Sequence, residues 1–274
     1  MGAEHREHSW RHTSEGGFDP ARYDVGLVDE DGPVKAFVER HHYSGSYPAA
    51  KLRAALLEDG QLVGVAVFGI PMQAKVLTSA FPLLEPYTES VELARFVLLD
   101  RVPANAESWF IGQSFREIAE RGVRGVVAFS DPVPRLRSGT GGLRTRSVMP
   151  GHVGTIYQAS NGLYAAERST PRTLLVGPDA RVISPRGLQK VRALERGHEY
   201  VERQLTEWGA RRRDPHEDPA AWLRDALAAA GVRRIRHPGN HRYLFRVGRT
   251  RRERSRVAIA MRPAAYPKKE VAWP

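Results

Sequence analysis

Apolar runs in the first half of the chain predict strands. Tyr23–Val28 predicts a first strand, and the apolar runs Leu52–Glu58 and Leu62–Gly69 predict two more. Asp59-Gly60 joins those two runs, and this dipeptide favours a tight hairpin turn. A further strand is predicted over Val91–Leu99. The pattern therefore indicates an antiparallel sheet built early in the chain.

A helix and another strand follow. Asn105 is a favourable N-cap, Gly122 ends the segment, and the apolar residues between them recur at the helical period. We therefore predict a helix over Asn105–Arg121 and a buried strand over Val123–Ser130. Strand, helix and strand with short joints predict a right-handed crossover to a parallel neighbour.

Weaker signals cover the rest of the chain. We predict helices over Pro33–His42, His152–Ala166, Ser184–Trp208 and Asp218–Gly231, strands over Thr173–Val176, Arg181–Ile183, Tyr243–Val247 and Arg256–Met261, and a loop over 133–151. The fold class is α/β, with a mixed sheet, flanking helices and a basic C-terminal extension. The predicted organisation is a flexible tail at 1–20, a catalytic domain over 21–208, and a linker with basic strands over 209–274 that completes the same domain.

Composition excludes several classes of protein. With 41% hydrophobic and 27% charged residues the chain is typical of a globular protein. The absence of cysteine excludes disulfides, thiol nucleophiles and cysteine-ligated zinc. No run approaches 18 apolar residues, and residues 1–18 lack the apolar core of a secretory signal, so we expect a cytoplasmic protein without a membrane span. The serine-hydrolase elbow, the zinc-protease motif and the phosphate loop are absent.

Charge is distributed unevenly between the two halves. Residues 1–134 carry 13 Lys and Arg against 19 Asp and Glu, whereas residues 135–274 carry 29 against 12. Net charges of −6 and +17 follow, which together give the +11 of the whole chain. A basic half favours a polyanionic partner, most simply nucleic acid, and the alternative is a solvated basic surface.

The order of the predicted elements resembles the core of GNAT-type N-acyltransferases. In that fold an antiparallel hairpin and a third strand are followed by a helix and a parallel strand. The resemblance implies that the sheet opens between Val91–Leu99 and Val123–Ser130. It also implies that the donor's pyrophosphate lies at the N-terminus of the helix that begins at Asn105, where free N–H groups favour an anion.

Several motifs more specifically resemble the bacteriophage Mom family of DNA adenine-modification proteins. They are His42-Tyr43-Ser44, Glu92-Leu-Ala-Arg95, Asn105–Gly112, Phe129-Ser-Asp131, Gly151–Asn161 with Tyr164, and Tyr266-Pro267-Lys268. The resemblance implies transfer of an acyl-derived, carbamoylmethyl-type group to the exocyclic amine of adenine in DNA. Acetyl-CoA or another acyl donor is implied, although Asp100–Ser108 lacks the glycine-rich pyrophosphate signature of ordinary acetyltransferases.

Four residues are candidates for the chemistry. Tyr157 is placed by the resemblance as the general acid for the leaving group, and packing is its alternative. Asp131 ends a buried strand, where it could orient the amine, act as a base or simply open an Asp-Pro loop. His42 and Tyr43 lie in a loop that the resemblance places over the acceptor. His42 with Asp131 could begin a metal site, and a surface histidine is the alternative.

Three residues are candidates for binding the donor. Arg95 lies in an otherwise apolar strand, so its charge needs a ligand or a partner such as Glu92. Alternation places Leu93 and Val97 on the same face as Arg95. Asn105 and Ser108 lie in the first helical turn, where Ser108 could bind a ligand carbonyl or cap the helix.

Seven residues are candidates for binding nucleic acid: Arg144, Arg146, Arg242, Tyr243, Arg246, Arg251 and Arg252. The arginines would contact phosphates, and Tyr243 would stack on an extruded base. The alternative for Tyr243 is a strand with an apolar inner face. Two other functions stay open: an N-acyltransferase that acts on tRNA, a peptide or a small amine, and a nucleic-acid-binding protein without enzymatic activity.

Overall fold

The fold is described from a computed structural model, which describes residues 17–103, 105–137, 146–149 and 151–268. The chain divides into two units. The first takes its described residues from Met1–Ser130, Val153–Glu167 and His241–Pro274, and the second from Asp131–His152 and Arg168–Asn240. The domain boundaries expected from the sequence stay a prediction.

A seven-stranded mixed sheet forms the first unit, with the strand order β1-β2-β3-β4-β5-β12-β8. Its strands are β1 (Tyr23–Leu27), β2 (Ala50–Glu58), β3 (Gln61–Gly69), β4 (Ser90–Leu98), β5 (Gly125–Ser130), β8 (Leu163–Tyr164) and β12 (His241–Arg246). Only the β4–β5 pair is parallel among the described pairs of this sheet. The predicted α/β class with a mixed sheet is therefore confirmed.

The helices of this unit cover both faces of the sheet. They are α1 (Gly32–His41), α2 (Lys75–Thr78), α3 (Asn105–Glu120), α4 (Thr155–Ala159) and α8 (Arg251–Arg256). Phe110, Ile111 and Ile118 of α3 are buried in the main core, as their helical spacing predicted. The opposite face packs Val34, Phe37 and Val38 of α1 against valines of β3 and β4.

The second unit combines a helical cluster with small sheets. Its strands are β6 (Arg135–Arg137), β7 (Arg146–Met149), β9 (Arg172–Val176), β10 (Val182–Ile183) and β11 (Arg233–His237), and its helices are α5 (Pro185–Ala193), α6 (Glu199–Glu207) and α7 (Pro219–Ala229). β9 lies between β10 and β11, and β6 pairs with β7. Trp222 and Leu223 of α7 and Leu205 of α6 form the centre of its core. Among the described helices of both units, none has the length and hydropathy that a membrane span requires.

The strongest local predictions are confirmed. β2 and β3 pair across the Asp59-Gly60 turn, and both turn residues have positive φ angles. α3 links β4 to β5, which pair in parallel as the crossover predicted. Ser184 and Asp218 accept hydrogen bonds from the first turns of α5 and α7, and a proline follows each of them.

Two predictions in the C-terminal half are wrong. The helix expected over His152–Ala166 is limited to α4, because Asn161 adopts a positive φ of 58° and Leu163–Tyr164 pair with β12. The strand expected over Arg256–Met261 is absent. Instead Thr250 caps the short α8, with its hydroxyl accepting from the Glu253 N–H.

Three further segments differ from expectation. The predicted loop 133–151 contains β6 and β7. The single helix expected over Ser184–Trp208 is two helices, separated where Leu194 adopts a left-handed conformation with φ of 50°. β11 was not predicted, because its Arg-Arg-Ile-Arg-His sequence has no apolar alternation from which a buried strand can be inferred.

Gly154 and Gly122 provide a test of the core around Tyr243. Both have positive φ angles, 79° and 87°, but a Cβ at Gly154 would lie 2.6 Å from the Tyr243 ring, whereas one at Gly122 would meet nothing within 4 Å. We expect Gly122→Ala to cost about 1–2 kcal/mol of backbone strain. Gly154→Ala should cost about 1–3 kcal/mol more, from overpacking. Urea denaturation of both variants measures the difference, and equal losses would contradict this packing.

Candidate active site

β4 and β5 separate along their length, and this opening defines the candidate site. Ladder pairs join Ser90 to Gly125 through Leu93 to Ala128, and none follows. Beyond this point β4 continues beside β3, while Phe129 and Ser130 of β5 continue beside β12. The sheet therefore opens toward the carboxyl ends of two parallel strands, where α/β folds place their chemistry. The opening predicted from the GNAT resemblance is confirmed.

A β-bulge at Ala94 controls which side chains reach the opening. Phe68 pairs with Leu93 and Val67 pairs with Arg95, so the residue between them has no partner. Leu93 packs in the main core, whereas Val97 packs on the opposite face with α1. The expectation that Leu93 and Val97 share a face is therefore wrong, because the extra residue reverses the alternation.

Arg95 is held by the loop that follows α1. Its Nε donates to the Ser46 carbonyl at 3.0 Å, its Nη2 to Ser46 Oγ at 3.0 Å, and its Nη1 to the Ala94 carbonyl at 2.6 Å. Among the described ion pairs there is none between Arg95 and Glu92. Burial lowers the pKa of Arg95, and the nearby Tyr43, Glu92 and Tyr157 oppose that change. Arg95 therefore joins β4 to the predicted acceptor loop.

Glu92 is a partly buried acid of β4, expected from the sequence only as a partner for Arg95. Burial raises the pKa of its carboxyl group, and the positive charge of Arg95 partly opposes the increase. No hydrogen bond joins this carboxylate to a described residue. A partly desolvated carboxylate without hydrogen bonds is costly and is a common feature of functional sites. The sequence signal for Glu92 as a site residue is its position in an otherwise apolar strand.

Tyr157 lies at the same opening and is almost fully buried. Its ring centroid is 5.4 Å from that of Tyr243 and 6.3 Å from that of Phe245. Burial is the main cause that raises the Tyr157 pKa, and Tyr43 and Glu92 raise it further. Its hydroxyl group makes no hydrogen bond with the described residues. The structure therefore brings together Tyr43, Arg95 and Tyr157, and it adds Glu92 to them.

Tyr243 is the centre of an aromatic cluster. It is fully buried, its hydroxyl donates to the Val153 carbonyl, and Gln158 Nε2 donates to that hydroxyl at 2.9 Å. Tyr157 and Tyr164 both pack against its ring at 5.4 Å. Tyr164 packs there from β8 and not from the helix predicted over His152–Ala166. The burial of Tyr243 favours the alternative of a packed strand over a base-stacking platform.

The partly buried His42 and the exposed Tyr43 form an aromatic pair beside Arg95. Their ring centroids are 4.2 Å apart, and 47% of Tyr43 is exposed. His42 Nδ1 accepts from the Ser44 N–H at 3.1 Å, which leaves Nε2 as the protonated nitrogen of a neutral ring. The exposed Tyr43 ring at this position suits a planar acceptor.

Asp131 belongs to the second unit and is engaged there. Its Oδ1 accepts from His237 Nε2 at 2.8 Å and from the Val133 N–H at 3.0 Å, and Arg135 lies 3.5 Å from Oδ2. His237 is fully buried, and its Nδ1 accepts from the Gly239 N–H. These contacts favour the loop-opening alternative for Asp131. The described residues contain no group of three or more His, Asp or Glu that could hold a metal ion.

Asn105 and Ser108 lie at the start of α3. Ser108 Oγ donates to the Asn105 carbonyl at 3.3 Å, a bond within the first turn and not a capping bond, in which the hydroxyl would accept from a main-chain N–H. Glu107 is in the first turn, and Asn105–Gly112 contains no basic residue. This helix start therefore offers main-chain N–H groups to an anion but no side-chain cation.

The predicted nucleic-acid contacts differ in exposure. Arg242 is buried, with Nη1 2.9 Å from Met261 Sδ and its guanidinium over the Phe129 ring, and burial lowers its pKa. Arg246 is exposed and donates to the Val257 carbonyl. Arg251 and Arg252 are exposed on α8, and their side chains form no hydrogen bond or ion pair with a described residue. The remaining candidate side chains, those of Arg144 and Arg146, lie outside the described part of the structure.

Two buried tyrosines give a stability test of this geometry. Tyr243→Phe removes a hydroxyl that bonds Val153 and Gln158, and leaving buried partners unsatisfied costs about 1–3 kcal/mol. Tyr157→Phe removes a hydroxyl without a described partner, so we expect little change in the free energy of unfolding. Thermal denaturation of both variants measures the difference. A larger loss for Tyr157→Phe would contradict the hydrogen bonding described above.

Solved structures resemble this chain only with low TM-scores. The GNAT-family N-acetyltransferase YhbS from Escherichia coli is 17% identical, with a TM-score of 0.30 over 42% of this chain and 67% of that one. A tandem GNAT protein of clavulanic acid biosynthesis is 9% identical, with a TM-score of 0.35 over 82% and 70%. N-acetylglutamate synthase from Neisseria gonorrhoeae is 11% identical, with a TM-score of 0.34 over 83% of this chain and 35% of that one. The fold assignment therefore rests on the strand pairing.

Comparison with protein-family models gives a match over part of the chain, whereas comparison with curated proteins does not. The search of curated proteins found no match. The model of the Mom protein family matches residues 23–142, which contain β1–β5 and α3. The matched segment includes Glu92, Arg95 and both strands that border the opening. The resemblance indicated by the motifs is therefore confirmed over this segment, which is similar to the Mom protein family and forms most of the mixed sheet.

Proposed function

We propose that this protein transfers an acyl-derived, carbamoylmethyl-type group to the N6 amine of adenine in DNA. The observation that carries the proposal is the opening between β4 and β5, lined by Glu92 and Arg95, within the segment that matches the Mom family. Buried ionisable groups at a strand opening are suited to acid–base chemistry. The exposed arginines of α8 support a polyanionic acceptor.

Glu92 and Tyr157 supply complementary proton transfers in this proposal. The Glu92 carboxylate accepts a proton from the acceptor amine as the new N–C bond forms. Tyr157 keeps its proton at neutral pH because its pKa is raised, and it donates that proton to the leaving group as the donor bond breaks. Arg95 positions the Ser46 loop beside both groups. His42, in the loop that also carries Tyr43, acts in orienting the acceptor.

The opening fits the acyl arm of a donor better than it fits a diphosphate. Main-chain groups of β4 after Leu93 have no ladder partner on the β5 side, so they are available to a peptide-like arm. At the start of α3, Glu107 opposes an anion although Asn105 and Ser108 lie beside it. We therefore propose that the acyl donor is held mainly through its peptide-like arm, which binds the main chain of β4. The donor supplies the activated carbon that is transferred.

Exposed aromatic groups fit an extruded base. An adenine amine inside a duplex is reached by flipping the base or by acting on single strands. Tyr43, stacked on His42 and electrostatically coupled to Tyr157, offers a stacking surface at the opening. Arginines of the basic half would hold the backbone.

Nucleoside mass spectrometry tests the proposed function. DNA from cells that express the protein should contain a modified adenine, and DNA from cells that express Tyr157→Phe should contain at least about 100-fold less, as expected for loss of a general acid. Arg116→Gln, an exposed change on α3, is the matched control and should behave as wild type. Unmodified adenine at high expression, with the group found on RNA or on a small amine, would overturn the DNA assignment.

Glu92→Gln separates activity from stability. We expect activity to fall by about 10²–10⁴-fold, because the proposed base is lost. A carboxyl whose pKa is raised on folding loses native stability as the pH rises from its ordinary value through the raised value. Glu92→Gln should therefore melt at a higher temperature than wild type at neutral pH, and this difference should shrink in acid. An active variant, or one that melts lower than wild type at neutral pH, contradicts this role.

A further inference from the structure

Three arginines of β11 form an exposed surface on the second unit. Arg233, Arg234 and Arg236 are all exposed, and β11 is an edge strand of its sheet. None of the three side chains forms a hydrogen bond or an ion pair with a described residue. We call these three residues the β11 arginine surface. Among the described residues, nothing neutralises their charges, which are exposed to an external partner.

Several other exposed arginines of the same unit are paired with acids. Arg181 bonds Asp179 and Glu207, Arg186 bonds Glu195, and Arg211 bonds Glu217. The unit therefore supplies carboxylates where arginines stabilise its own surface. No Asp or Glu lies in β9, β10 or β11, so the β11 arginine surface has no such compensation within its sheet.

The charge density of this surface matches that of a nucleic acid. Four consecutive strand residues span about 10 Å, with Arg234 and Arg236 on one face of β11 and Arg233 on the other, so three positive charges lie within that length of the edge strand. Each strand of duplex DNA carries about one negative charge per 3.4 Å of the helix axis, close to the spacing of these three positive charges. Neighbouring cations on a strand repel one another, and phosphates would relieve that repulsion. Arginine also binds phosphate in a bidentate geometry.

We propose that the β11 arginine surface binds the phosphate backbone of duplex DNA. This inference rests on the proposed function for the choice of DNA and adds a contact carried by the second unit. Charged side chains on an edge strand can also prevent aggregation, without any ligand. That alternative gives a different outcome in the experiment below.

Salt-dependent binding of the full chain to a duplex of about 25 base pairs tests the proposal. The triple variant Arg233→Gln, Arg234→Gln, Arg236→Gln should bind more weakly, and the slope of log K against log salt should fall by about 2.7, at about 0.9 per lost phosphate contact. The lysine variant at the same positions should keep most of the slope, because each charge is retained. The matched control is Arg181→Gln, Arg186→Gln, Arg211→Gln, which changes net charge equally and should keep the wild-type slope.

Two results would overturn the proposal. An unchanged slope in the β11 variant, with or without aggregation, means that the arginines only protect the edge. Tighter binding to a tRNA than to the duplex, lost in the same variant, means that the partner is RNA. Mass spectrometry separates the two proposals: modified adenine with an unchanged slope refutes only this inference, and a reduced slope without modified adenine refutes only the proposed function. Melting temperatures of all variants establish that they are folded.

Discussion

The loss of pairing between β4 and β5 after four residue pairs is the constraint on which the candidate site depends. A continuous ladder would satisfy the main chain and close the sheet. The separation instead leaves a gap that side chains must line, and the strands differ in how they are supported. β4 pairs with β3, and β5 pairs with β12. Each strand therefore keeps a ladder on the side away from the gap, and the gap stays open.

Buried charge follows from that gap. Arg95 keeps its guanidinium satisfied through Ser46 and Ala94, although burial lowers its pKa, whereas the Glu92 carboxylate has no described hydrogen bond. Natural proteins avoid a desolvated carboxylate without hydrogen bonds unless it has a function. The bulge at Ala94 aims Arg95 at the Ser46 loop instead of the main core. Local irregularity and buried charge therefore occur at the same four residues of β4.

Local signals predicted the parts of the fold that local chemistry controls. The Asp59-Gly60 turn, the capped α5 and α7 and the apolar period of α3 depend on neighbouring residues, and all are confirmed. The bulge in β4, the pairing of Tyr164 with β12 and the polar strand β11 depend on distant partners, which no local pattern specifies. For the same reason Glu92 was treated only as a partner of Arg95, because its isolation from hydrogen bonds is a tertiary property.

The position of β12 in the sheet constrains how the protein is made. β12 pairs with β5, yet Ser130 and its partner His241 are separated by the residues that form most of the second unit. Tyr243 of β12 supplies the surface against which Tyr157 packs. A nascent chain that has emerged only as far as α7 therefore lacks β12, which supports one side of the opening between β4 and β5. Closing so long a loop is slow. Activity would thus begin only after the C-terminal segment leaves the ribosome, so truncated products would be inactive.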